Sequence, residues 1–197
     1  MSANTKSRTR EALKEWAVAC RRIAEGRQIV LLRKGGIADG RGGMRVEHRE
    51  FFLFPTLFHQ REEELVPDAR EELAKAKHDP AQVPLEVYVT VEDTIWVEDL
   101  ERLRKLEGKH CLAWPAVEER FNYRGIPGLW VIAVRAYRLP RPQVIPNTPE
   151  YDGCKSWVTL ATEVPVEHSG PVLSRADFLG RCGEVKSALS HQGSTLV

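Results

Sequence analysis

Apolar positions recur along this chain in two rhythms, and the changes between them mark out its elements. From Thr9 onward, Leu13, Trp16, Ala17, Cys20, Ile23 and Ala24 fall at helical spacings, with Lys14, Glu15, Arg21 and Arg22 opposite them. That stripe predicts an amphipathic helix, and Gly26 sits where its C-terminal cap belongs. The aliphatic run Ile29–Leu32 predicts a short buried strand, and Phe51–Phe54, closed by Pro55, predicts another. The two runs suit an antiparallel hairpin with a long connection. Lys34 to Arg45 between them holds five glycines among charges and reads as a loop, since glycine has the largest backbone entropy to lose in regular structure.

Further along, Pro67 to Lys77 reads as a helix with Pro67 in its first turn and acidic residues near its positive end. Leu85 to Val97 predicts a long strand, or a hairpin broken near Glu92–Asp93. Glu98–Leu106 and the segment opened by Pro115 predict short helices. Gly128–Leu139 alternates with apolar residues on both faces, the mark of a central strand. Pro140, Pro142, Pro146 and Pro149 then predict a rigid extended connection outside regular structure. Trp157–Ala161 suits a short strand. Ser174, with Asp177 three residues on, opens a last helix. Helices and strands do not alternate as βαβ units, and no internal repeat is visible. The expected fold is α+β: a mainly antiparallel or mixed sheet with an N-terminal helix and a C-terminal helix packed on it. Residues 1–8 and 191–197 are expected to be flexible tails around a single domain spanning 9–190.

Composition narrows the partners. Lysine and arginine number 29 against 28 aspartates and glutamates, a net charge of +1. A strongly basic nucleic-acid protein would look different, although a local basic patch is compatible with the balance. The four cysteines, Cys20, Cys111, Cys154 and Cys182, are far apart and form no CxxC pair. That spacing excludes a zinc ribbon and suits reduced thiols in a reducing compartment. Met1 to Arg10 is polar and basic, unlike a secretory signal, and no run approaches the ~18 apolar residues of a membrane-spanning helix. The cytoplasm is the expected location, with no membrane partner.

Four clusters carry candidate chemistry. Arg33, Lys34, Gly35 and Gly36 end a strand with cations and glycines, able to offer an anion both charge and backbone N–H groups. The GxxxxGK[ST] order of a phosphate-binding loop is absent, and a glycine turn at positive φ beside solvated cations is the alternative. Glu47, His48, Arg49 and Glu50, followed by His59–Gln60, place histidines and carboxylates close in sequence. His48, Glu50 and His59 are candidates for general acid–base work, and the alternative is a polar strand edge with local pairing. No metal site matches the spacing of the two histidines. Tyr151–Trp157 contains Cys154 beside Lys155, which could lower the thiol pKa; Lys155 and Trp157 are binding candidates, and a structural thiol by an Asp-Gly turn is the alternative. Asp99 with Glu107-Gly108-Lys109 has the residue types of a metal-dependent nuclease, set against a helix end capped by Gly108. Trp96, Trp114, Phe121, Tyr123 and Trp130, near Arg120 and Arg124, suit either a base-stacking platform or an aromatic core with a basic rim.

The blocks Glu11–Trp16, Leu32–Ile37, Glu47–Gln60 and Tyr151–Leu160 together resemble the bacterial and archaeal family known as domain of unknown function 1802, over about Glu11 to Leu189. The family is uncharacterised, so the resemblance transfers no catalytic residue. Some members are thought to occur beside restriction-endonuclease-like domains, which implies DNA processing or restriction-modification by association. The expected function is therefore a nucleic-acid-associated binding module using Arg33, Lys34, Arg49, Arg120 and Arg124. A small hydrolase or nuclease built on His48, Glu50 and His59 is the alternative, and a structural, partner-binding protein is a third.

Overall fold

The computed structural model describes residues 8–35, 48–57, 60–75, 79–153 and 155–190. The expectations for tails at 1–7 and 191–197, and for Gly36, Glu47, His59 and Cys154, lie outside the described residues.

The first element corrects the sequence reading. Arg8–Trp16 is a strand, β1, and the helix α1 begins only at Ala17, running to Ala24. The Glu-Ala-Leu-Lys-Glu stretch has good helix formers, but β1 lies between two other strands and buries side chains on both faces: Ala12 and Leu13 are 0% and 1% exposed. Two hydrogen-bonded ladders outweigh a propensity worth a few tenths of a kcal/mol per residue. Gly26 does follow the helix with φ +70°, as a cap requires.

Next come β2 (Val30–Arg33), β3 (Glu50–Thr56), α2 (Pro67–Lys75), β4 (Gln82–Val97), α3 (Leu100–Arg104), α4 (Trp114–Asn122), β5 (Leu129–Pro146), β6 (Trp157–Pro165), β7 (Gly170–Pro171) and α5 (Arg175–Leu189). The sheet runs β2-β5-β4-β3-β1-β6, with β7 on β5. β1 and β3 are parallel and every other pairing is antiparallel. The mixed α+β architecture thus agrees with the sequence reading. The hairpin does not: β2 pairs with β5, while β3 lies between β1 and β4.

The prolines after Leu139 do not end β5. Pro140 and Pro142 fall where the β4–β5 register shifts between Leu85 and Val87, so no ladder bond needs their missing N–H groups. Beyond them Asn147 N donates to Ala81 O at 2.8 Å, so Pro146 next to it turns its nitrogen away from β4. β4 is one long strand, the first of the two readings of this segment, and not a broken hairpin; a second register shift falls between Val91 and Asp93.

Residues on adjacent strand positions feed separate cores. Val131 and Ala133 of β5 meet α3, α4 and α5, whereas Ile132 and Val134 pack with Leu13, Phe51 and Ile23 beneath α1. Phe52, Tyr88 and Val158 belong to a third core. The last helix begins where expected, with Ser174 Oγ accepting from Asp177 N at 3.1 Å, and it buries Phe178, Cys182, Val185 and Leu189. Among the described residues no helix is long and apolar enough to cross a membrane.

Candidate functional site

Three strands of this fold end around one cleft. β1 delivers Lys14, Glu15 and Trp16, β2 delivers Arg33, Lys34 and Gly35, and β3 delivers Thr56. Arg120 of α4 and the 153–156 loop with Lys155 complete a hollow of about 740 Å³. That volume lies in the range of small-ligand clefts.

Arg33 and Glu15 form its floor. Arg33 Nη1 donates to Glu15 Oε2 at 2.8 Å and to Lys14 O at 3.1 Å, and Glu15 Oε1 accepts from Trp16 N at 2.9 Å. The two side chains are 14% and 10% exposed, so the charges hold each other in a poorly solvated place. Arg33 Nε is buried and has no partner among the described residues. Beside them the Arg120 guanidinium lies 4.3 Å from the Trp16 ring centre and 3.8 Å from Glu64, and Arg61 binds Glu64 at 2.7 Å. Lys34 is tied down: its ammonium donates to Phe121 O at 2.7 Å, to Gly128 O at 2.9 Å and to Ile126 O. Burial there lowers its pKa from the ordinary lysine value. Gly35 has no left-handed φ, so this turn does not require glycine at that position. Lys155 has neither a carboxylate nor a hydrogen-bond partner among the described residues. Six cationic side chains thus border the cleft against three carboxylates.

Behind Trp16 and Arg120 lies a void of about 10 Å³ that touches His110. His110 Nδ1 accepts from Leu112 N at 3.2 Å, so Nε2 carries the proton, yet Nε2 has no partner among the described residues. Burial first, and the Arg120 charge second, pull the imidazole down to about 4.

The acid–base candidates are not gathered in this cleft. His48 Nε2 lies 3.2 Å from Glu11 Oε2, and its ring meets Trp157 edge-on at 5.1 Å. Trp157 also meets Phe51 at 4.9 Å. Glu50 accepts from Tyr88 OH at 2.8 Å, and Tyr88 packs on Phe52. Phe51 and Phe52 are consecutive in a strand and face opposite ways, so His48 and Glu50 lie on opposite sides of the sheet. Arg49 donates to Val91 O at 3.2 Å and is likewise outside the cleft. Asp99 caps α3, accepting from Glu101 N at 2.9 Å, and Lys109 pairs with Glu184. Among the described residues no three His, Cys, Asp or Glu side chains converge as metal ligands. The structure therefore joins Arg33, Lys34, Gly35 and Lys155 and leaves His48, Arg49, Glu50 and Trp157 elsewhere. Sequence reading passed over Lys14, Glu15, Trp16 and Arg61 as cleft residues. The first three lie in the stretch read as a helix.

The family described as "Domain of unknown function (DUF1802)" matches residues 12–184. The chain belongs to this family. The DUF1802 match runs from β1 into α5 and so takes in every strand end that borders the cleft. No curated protein matches the chain. Among solved structures, ASCH from Zymomonas mobilis is similar at 11% identity and a TM-score of 0.43, over 76% of this chain and 86% of that one. A mutant form of that protein is similar at 12% identity and a TM-score of 0.43, over 79% of this chain and 91% of that one.

Proposed function

We propose that the chain is a nucleic-acid-binding module and that the strand-end cleft holds the phosphate backbone of a single strand. The observation that carries this reading is Lys155, which has no counter-charge among the described residues, in an open cleft that six cationic side chains border against three carboxylates. Phosphate oxygens supply acceptors and negative charge together. Tyr123 at the rim is 52% exposed, with the Arg124 guanidinium 5.2 Å from its ring, and offers a surface on which a base can stack. Such a module fits the DNA-processing or restriction setting that the sequence resemblance implies. The test is fluorescence anisotropy with labelled single-stranded DNA and RNA at low salt. Saturable binding that falls with salt and weakens in Lys155→Ala supports the reading; no binding to either polymer overturns it.

A further inference from the structure

The cleft continues past Lys14 into a second hollow of about 420 Å³, which shares Lys14, Thr56 and Gly153 with the first. The two lobes have opposite hydrogen-bonding character. The first presents donors: Lys155 and the other cations around it. Among the described residues, every buried side-chain polar atom without a partner is a nitrogen that carries hydrogen. The second lobe presents acceptors. Asn147 Nδ2 donates one of its two N–H groups to Pro80 O at 3.0 Å, which fixes the amide with Oδ1 able to accept. The exposed Asp152 carboxylate has no partner among the described residues. Between the lobes the Lys14 ammonium is held by Tyr151 O and by Gly153 O, the latter at 3.1 Å, which anchors the loop that carries Asp152.

We infer that the two lobes read one nucleotide as a unit, the phosphate in the donor lobe and the base in the acceptor lobe, with Asp152 selecting bases that carry an exocyclic amino group. Cytosine and adenine offer an exocyclic N–H to a carboxylate, whereas thymine and uracil have at the matching exocyclic position a carbonyl that a carboxylate repels. This specificity rests on the nucleic-acid reading above and deepens it. A hydrogen-bonded base contact of this kind discriminates by about tenfold or more.

The experiment compares oligodeoxycytidine, oligodeoxyadenosine and oligothymidine of about 12 nucleotides, a length within the usual range of single-strand sites, with cytidine and uridine RNA of the same length. The full chain is expected to bind the amino-bearing sequences about tenfold more tightly than thymidine or uridine. Asp152→Ala is expected to bring that ratio to within about twofold, whereas Lys155→Ala weakens all sequences alike and leaves the ratio in place. Equal binding of every sequence by the unaltered chain, or a ratio that survives Asp152→Ala, overturns the base-selection inference while the binding reading stands. No binding to any sequence overturns both.

Discussion

Replacing Lys155 with glutamine tests whether the cleft meets phosphate by charge. Of the six cationic side chains around it, Lys14 and Lys34 are tied to carbonyl oxygens, and Arg33 is matched by Glu15. Arg61 and Arg120 share Glu64, and Lys155 has no such partner among the described residues. Three phosphate contacts, from Lys155, Arg61 and Arg120, are a working figure. For single strands each contact contributes a slope of about −0.7 to the plot of log affinity against log salt, which gives about −2 for the unaltered chain. Affinity then falls about 18-fold between ~50 and ~200 mM salt. Without Lys155 the slope is about −1.4 and the fall about 7-fold. Anisotropy titrations at four or so salt concentrations resolve that difference. Lys186→Gln is the control, because Lys186 lies on α5 and pairs with Asp93 away from the cleft. Parallel salt plots for the unaltered chain and Lys155→Gln, or an equal change in Lys186→Gln, would refute the assignment.

Three further outcomes concern the frame around the cleft. Arg22, 7% exposed, clamps α1 to α2 through Glu72 at 2.8 and 3.1 Å and Asp68 at 2.7 Å. Arg22→Met is expected to cost about 2 kcal/mol at pH 7 by urea unfolding, below the usual cost of breaking a buried pair because Arg27 still holds Glu72. Both carboxyls are held below their ordinary values of 3.8 and 4.5, so the contribution is complete above those values and disappears as pH falls through the lowered ones. An equal cost at pH 7 and pH 3 would contradict the clamp. The unfolded chain protonates His110 near 6.5 but the folded protein only near 4, so stability should fall by about 3 kcal/mol as pH drops across that interval. His110→Gln should flatten most of that dependence, measured as the urea midpoint against pH. Gly128→Ala would drive a Cβ into the Trp96 indole at φ +128°, and is expected to destabilise by about 2–4 kcal/mol and change the near-ultraviolet circular dichroism of the Trp96–Trp130 pair.

The parts of the fold legible in the sequence are those where local and tertiary preferences agree. α5 has its Ser174 cap, β5 has apolar residues on both faces, and β4 is the long strand, with a register shift where Glu92 and Asp93 interrupt the pattern. The misreadings share a cause: neighbours distant in sequence. Leu13, Trp16, Ala17 and Cys20 keep helical spacing even though the first two belong to a strand, because β1 is buried on both faces and its apolar residues need not alternate. The prolines of β5 are tolerated because of a register shift and the direction of one nitrogen, neither of which has a local signature.

The site divides along the same line. Arg33–Gly35 and Lys155 stood out because cations beside a glycine turn are visible in the sequence, and they do share a cleft. His48 and Glu50 stood out because histidines and carboxylates lie close in sequence there, yet a separation of two residues at the start of a strand did not place them together: His48 turns to Glu11 and Glu50 to Tyr88 across the sheet. What makes the cleft a site is the contribution of β1, in which Glu15 matches Arg33, Trp16 lies beneath Arg120, and Lys14 braces the loop that holds Lys155. Read as a helix, Lys14 and Glu15 fall on a solvated face. Read as the end of an interior strand, they are buried or half-buried polar groups whose partners come from β2 and the loop after Tyr151. One error of secondary structure therefore hid most of the cleft floor, since the polarity of those residues acquires meaning only once their neighbours across the sheet are known.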